Sequence, residues 1–178
     1  MKNIFPGYVE IEAPASDTER VKWRSVMPGI VGDYVEDMAM RDRSLASVDS
    51  MNDKVNNLIK YKPDDARDHW QMPQETVDKL SGDCEDFAIL KYAILRNSGF
   101  WGDQLALVLG EIASLSGNKA HAFLVVEVEG ARCVLDNKFD QLIDPKNYAN
   151  FIPKKVVNDN GVFLYSKQFT IAETTKHT

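Results

Sequence analysis

The two cysteines of this chain stand in different surroundings, and Cys84 has the features of a nucleophile. It follows Asp83 in the run Gly-Asp-Cys-Glu-Asp-Phe, whose polar residue and early acids predict the start of a helix. Unpaired backbone N–H groups at a helix start stabilise a thiolate, and they can also hold an oxyanion. The carboxylates of Asp83, Glu85 and Asp86 oppose thiolate formation unless a cation or a histidine offsets them. Cys84 therefore needs a base nearby.

His121 is the best candidate for that base among the three histidines. His69 lies in a polar stretch that contains no thiol, and His177 is next to the last residue of the chain. His121 instead begins an apolar run with the period of a β-strand. A strand holds a side chain in a defined direction, as a catalytic base requires.

A hairpin prediction places Asp136 beside His121. Glu129-Gly130 is a typical two-residue hairpin loop, and the register that it sets puts Phe123 opposite Asp136. Asp136 is then diagonal to His121 on the same face, within reach of its side chain. The same register puts Cys133 on the other face, where it acts as a small apolar residue. Cys84, His121 and Asp136 together match a nucleophile, a base and an orienting carboxylate.

Each of these residues also has an ordinary structural interpretation. A cysteine at a helix start is often buried and inert, and a strand histidine is often a satisfied core residue. Asp136 with Asn137 also suits a turn at a strand end, and acids at a helix start serve as caps. The combination of the three residue types favours catalysis over these separate explanations.

The elements around these residues change in type along the chain. Helices are predicted at 16–27, 30–43, 48–60, 73–80 and 83–98, and strands at 105–111, 120–129, 132–135, 156–157 and 162–165. Helices followed by strands predict an α+β fold in which the central helix packs on an antiparallel sheet. We divide the chain into a helical N-terminal extension at 1–47, a core at 48–168 and a flexible tail at 169–178.

Composition excludes several classes of protein. The chain has 178 residues, 44% of them hydrophobic, which suits one globular domain with its own core. Its net charge of -6 disfavours nucleic-acid binding as a main role. The apolar runs are too short to insert into a membrane, and residues 1–7 lack the apolar stretch of a secretory signal. As written, the sequence therefore predicts a cytoplasmic location.

Three motifs resemble those of the bacterial transglutaminase-like cysteine proteinases of the LapG type. They are Gly82 to Ala88, His121-Ala122 at the start of an apolar strand, and Val134 to Asn137, with further similarity upstream at Met51-Asn52 and Trp70 to Glu75. The resemblance covers roughly residues 48–166. It implies a papain-like, transglutaminase-core fold and hydrolysis of a protein or peptide substrate. It also implies that Cys84 is the nucleophile, His121 the base and acid, and Asp136 the residue that orients the imidazole.

The same resemblance implies a metal. The best-known LapG-type members are periplasmic, depend on calcium and cleave large surface adhesins. In that pattern the acids that flank the cysteine bind calcium, which assigns Asp83 and Glu85 to a Ca²⁺ site. Calcium takes six to eight oxygen ligands, and its charge would offset the acids around the thiol. Helix capping by the same acids is the alternative.

Other functions stay open at this stage. The acyl group of the thioester could pass to an amine, as in a transglutaminase. Alternatively, a side-chain amide could be the substrate that is hydrolysed. The chain could also be a non-catalytic module that binds calcium or a partner. Residues 1–47 could cover the cleft or form a partner surface. Trp70 and Gln71 precede the helix where a second oxyanion donor would stand, although a core Trp and an exposed Gln explain them equally well.

Overall fold

The computed structural model describes residues 1, 3–27, 38–65 and 68–168. Within these ranges the helices are α1 (Thr18–Val26), α2 (Leu45–Leu58), α3 (Pro73–Lys79) and α4 (Cys84–Asn97). The strands are β1 (Tyr8–Glu12), β2 (Lys60–Tyr61), β3 (Ser81–Gly82), β4 (Leu105–Ile112), β5 (Lys119–Val128), β6 (Ala131–Leu135), β7 (Phe151–Asn158) and β8 (Gly161–Lys167). None of the described helices is long and apolar enough to span a bilayer.

Six strands form one antiparallel sheet, in the order β1-β8-β7-β4-β5-β6, and β2 pairs with β3 in a small parallel sheet. Helix α4 packs across β5. Its residues from Phe87 to Leu95 are apolar with the exception of Lys91, and they are buried on almost every side of the helix. The predicted α+β class, with a central helix on an antiparallel sheet, is confirmed.

The hairpin between β5 and β6 has the predicted register. Val128 pairs with Ala131 and Val126 pairs with Cys133. Glu129 and Gly130 adopt positive φ angles of 51° and 76°, as the two central residues of a type I′ turn require. The ladder ends where Leu124 pairs with Leu135, so Asp136 follows the last paired residue of β6.

The sheet is apolar on both faces, and each face has its own cover. Leu124, Val126 and Cys133 join the core that includes α4. The opposite face buries Phe123 and Val134 together with Ile4 and Phe5 of the N-terminal segment, and these four residues belong to a second core. The N-terminal residues thus cover apolar surface that would otherwise face water.

The helical interpretation of residues 1–47 needs correction. Residues 8–12 form β1, which pairs with β8 and extends the main sheet. Helix α1 is present, and Asp17 caps it, because the Asp17 side chain accepts a hydrogen bond from the Glu19 N–H. Of the helix predicted at 30–43, residues 38–43 form a turn and irregular structure, and 30–37 lie outside the described residues, as does the tail at 169–178.

Strand β7 is longer than the two residues predicted for it. It runs through Pro153, which cannot donate a ladder hydrogen bond and is unusual inside a sheet. The β4–β7 register shifts between Leu109 and Gly110, and Gly110 is the residue that pairs with Pro153. A β-bulge therefore accommodates the proline inside the sheet.

Candidate active site

A buried carboxylate fixes the start of α4. Asp86 Oδ2 accepts a hydrogen bond from the Asp83 N–H at 3.1 Å, and Oδ1 accepts one from the Gln71 N–H at 2.8 Å. A Cβ atom on Gly82 would lie 2.6 Å from Asp86 Cβ, so only glycine fits beneath this side chain. The Gly82 to Asp86 run therefore ties the helix start to the Trp70-Gln71 segment.

Cys84 is the first residue of α4 and is partly exposed. Its thiol donates to Glu85 Oε2 at 3.2 Å. Burial and the carboxylate of Glu85 raise the pKa of the thiol, while the backbone N–H of Ala122 favours the thiolate. The flanking acids therefore oppose thiolate formation, as their charge predicts.

His121 and Asp136 form a hydrogen bond between Nε2 and Oδ2 at 2.7 Å, and both residues are buried. Asp136 Oδ2 also accepts from the Tyr148 hydroxyl at 2.7 Å, and Oδ1 accepts from the Lys138 N–H at 2.9 Å. Burial alone would raise the pKa of Asp136, but the hydrogen bonds from His121 and Tyr148 hold it below its usual range. An ionised carboxylate only accepts hydrogen bonds, so His121 donates to Asp136 from Nε2.

Cys84 and His121 line the same cleft, which has a volume of about 160 Å³. The other residues of its wall are Glu19, Asp68, Trp70, Glu85, Leu109, Gly110, Ala120 and Ala122. The structure thus brings Cys84 and His121 to one cleft and bonds Asp136 to the imidazole. Cys133 packs in the core on the α4 side of the sheet, here called the helix-side core, and does not line this cleft.

Several residues of this region were absent from the sequence prediction. Tyr148 bonds Asp136 from the segment before β7, and Glu19 of α1 forms part of the cleft wall. Lys22 of α1 also pairs with Asp68 at 2.5 Å. Helix α1 therefore borders the cleft. No local pattern could reveal these contacts, because each joins residues of separate elements or loops and not neighbours within one helix, strand or turn.

The two proposed oxyanion donors have separate environments. Trp70 is buried and lines the cleft. Gln71 is also buried, which excludes the exposed position considered for it, and its side chain lines a second pocket with Asp64 and Gly82. Trp70 is the better placed of the two to meet a bound substrate.

The acids proposed to bind calcium, Asp83 and Glu85, are crowded together. Burial and the Asp83 carboxylate raise the pKa of Glu85 to about 9, and burial with the charges of Asp64 and Asp68 raises the pKa of Asp83. Asp83 Oδ1 is buried and has no hydrogen-bond partner within the described ranges. An orphaned acceptor among repelling carboxylates suits a cation. The described residues nevertheless contain no group of three Asp, Glu, His or Cys side chains already arranged around one point.

Solved structures of one bacterial protein are similar to this chain over most of its length. Calcium-bound LapG of Legionella pneumophila is 25% identical to this chain, with a TM-score of 0.58, and the match covers 88% of this chain and 85% of LapG. The EGTA-treated form of that protein is 24% identical with a TM-score of 0.62, over 89% of this chain and 90% of LapG. These similarities confirm the predicted fold.

A curated relative matches a shorter part of the chain. The UPF0252 protein of Methanocaldococcus jannaschii is 28% identical over 102 residues, which are 52% of this chain. The matched part is only 29% of that relative's own length.

The sequence model of the bacterial transglutaminase-like cysteine proteinases matches residues 30–164, well over half of the chain. The match includes the Gly82 to Asp86 run, His121 and Asp136. The chain belongs to the bacterial transglutaminase-like cysteine proteinase family.

Proposed function

We propose that this protein hydrolyses peptide bonds of a protein substrate through a thioester on Cys84, with His121 as base and acid and Asp136 as its orienting partner. The observation that carries the proposal is the 2.7 Å bond between His121 and Asp136 beside a cleft that Cys84 also lines. A nucleophile, a base and a group that orients the base are the parts that covalent acyl transfer needs.

The reaction follows from the chemistry of these groups. Cys84 Sγ attacks the peptide carbonyl carbon as its proton passes to His121 Nδ1, and the backbone N–H groups at the start of α4 stabilise the oxyanion. The intermediate then expels the amine, which takes the proton from His121. Water, deprotonated by the same nitrogen, attacks the thioester and releases the acid, which restores the thiol.

We also propose that Asp83 and Glu85 would hold a calcium ion. LapG of Legionella pneumophila has been solved in calcium-bound and EGTA-treated forms. Bound calcium supplies positive charge that offsets carboxylates. In this chain the Glu85 carboxylate accepts the hydrogen bond of the Cys84 thiol. If the Glu85 carboxylate bound calcium, it would no longer accept the hydrogen bond of the Cys84 thiol. His121 could then accept the thiol proton.

We expect calcium and Glu85 to control the reactivity of Cys84. In a Cys133→Ser background, which leaves one thiol, iodoacetamide should alkylate Cys84 about tenfold faster in calcium than in EGTA at pH 7.5, since each pKa unit is a factor of ten in thiolate. Glu85→Gln removes a carboxylate that would bind calcium and that accepts the hydrogen bond of the thiol, so the alkylation rate of this variant should respond little to calcium. Mass spectrometry of the labelled peptide gives the rate. Equal alkylation rates for the parent protein and for Glu85→Gln, each in calcium and in EGTA, would contradict control by Glu85.

The activity itself is tested by the choice of acceptor. We expect unfolded casein incubated with the protein, calcium and a labelled primary amine to yield new peptide ends and no incorporated label. Peptide mapping by mass spectrometry detects both products, and Cys84→Ala is the control that must yield neither. Label incorporation that depends on Cys84 would indicate a transglutaminase instead. Absence of both products with and without calcium, on casein and on a peptide library, would favour a non-catalytic module.

A further inference from the structure

A completely buried lysine lies in the helix that carries the nucleophile. Lys91 belongs to α4, and none of its surface is exposed. Lysine is almost never fully buried without a partner, because its charge loses hydration. Within the described residues its Nζ donates to Asn56 Oδ1 at 2.7 Å and lies 5.8 Å from the centre of the Phe87 ring. The reaction described above does not use this amine.

Asn56 connects the lysine to the carboxylate that bonds His121. From α2, its Nδ2 donates to the backbone oxygen of Asp136 at 2.8 Å and to that of Phe139 at 3.2 Å. One turn earlier, Asn52 Nδ2 donates to the same Phe139 oxygen at 3.3 Å. The β5–β6 ladder ends at Leu135, so strand pairing does not hold the main chain of Asp136. Side chains of α2 hold it instead.

We propose that Lys91 is a positioning residue for the peptidase reaction: it orients Asn56, which holds the main chain of Asp136 so that the carboxylate meets His121. This inference rests on the proposed function of Cys84, His121 and Asp136. The ammonium group also lies close enough to Asp136 for the two charges to attract, which favours the ionised carboxylate. Lys91 acts through these neighbours and does not touch the substrate.

The energetics separate this role from simple packing. Burial lowers the pKa of Lys91 to about 7, and the attraction of Asp136 offsets only part of that effect. The charge therefore costs stability, whereas an apolar side chain of similar length would not. A position that served packing alone would favour the apolar side chain, as at its neighbours Leu90 and Ala93 in the same helix.

Lys91→Met keeps the length of the side chain and removes its charge. With casein peptides as substrate, we expect kcat to fall ten- to a hundredfold while KM changes less than about twofold, since the loss affects alignment and not binding. The midpoint of thermal unfolding should stay equal or rise, because a buried charge is gone. Asn56→Leu should lower kcat similarly, and the double variant should lose little more than either single one, as expected for residues that act through one path.

Tyr92→Phe is the matched control in the same helix. It removes a buried hydroxyl that bonds Asp159 at 2.5 Å, in a region unconnected to Asp136. This variant should lose thermal stability and keep kcat. If Lys91→Met has the kcat and KM of the wild type, or if its effect multiplies with that of Asn56→Leu, the inference is wrong.

A second measurement does not depend on peptidase activity. In the Cys133→Ser background, Lys91→Met should slow alkylation of Cys84 by iodoacetamide and change its pH profile, because a misaligned His121 accepts the thiol proton less readily. An altered rate in a protein that cleaves nothing would retain the positioning role and refute the proposed function. An alkylation profile identical to that of the wild type would refute the positioning role.

Discussion

Cys84→Ser is expected to lower the turnover of a peptide substrate by roughly 10³-fold or more, whereas Cys133→Ser leaves turnover within about twofold of the wild type. The alcohol of serine is a far weaker nucleophile than a thiol paired with histidine, and loss of a nucleophile removes the whole covalent path. Cys84 lines the cleft with His121. Cys133 packs against apolar side chains in the helix-side core.

The two cysteine variants control for each other, since each exchanges one sulfur for one oxygen. Steady-state rates on casein peptides, with the unfolding midpoint of each variant, test the prediction. Cys133→Ser should lower the midpoint by a few degrees, because it places a hydroxyl in an apolar core. Retention of a tenth of the activity by Cys84→Ser, or a matching loss in Cys133→Ser, would contradict the assignment of the nucleophile.

Asp136→Asn is expected to lower kcat by roughly 10³- to 10⁴-fold with little change in fold. The Asp136 carboxylate accepts from His121 Nε2 at 2.7 Å and thereby leaves the lone pair on Nδ1. An asparagine amide can instead donate to Nε2, which moves the imidazole proton to Nδ1 and removes the base. The shape of the side chain is unchanged, so a large loss would report the protonation state of the imidazole.

Tyr148→Phe is the comparison for that prediction. It removes the hydroxyl that donates to the same Asp136 oxygen at 2.7 Å and leaves the carboxylate itself in place. A hydrogen bond to a charged group contributes about 1.5 to 3 kcal/mol, so we expect kcat to fall by roughly ten- to a hundredfold. Equal losses in Tyr148→Phe and Asp136→Asn would mean that Asp136 has a structural role only.

Local rules predicted much of the site. Glu129-Gly130 suits a two-residue turn, and this turn alone sets the register that places His121 and Asp136 on one face. The acids and the polar residue around Cys84 predicted the start of α4. These predictions depend on residues that are neighbours in the chain, where turn geometry and the two-residue period of a strand determine side-chain direction.

Longer-range features could not be predicted this way. Strand β1 forms by pairing with β8 near the other end of the chain. Its alternation of apolar and acidic residues covers only five positions, and its apolar residues Val9 and Ile11 are exposed, so the pattern does not mark a buried face. Strand β7 passes through Pro153 because its register with β4 shifts there: Leu109 pairs with Lys155 and Gly110 pairs with Pro153, which leaves Lys154 of β7 as the extra residue of a bulge. In each case the strand forms because it pairs with a neighbouring strand, and this pairing cannot be recognised from the local sequence.

The sequence by itself determined the helix start at Cys84, the hairpin and the common face of His121 and Asp136, because the free energy that selects these features is local. Only the tertiary structure decided that Tyr148, Asn56 and Lys91 converge on Asp136, that α1 borders the cleft and that the N-terminal segment covers the second face of the sheet. Those contacts join distant segments, so their energies arise only when the whole chain buries its apolar surfaces together.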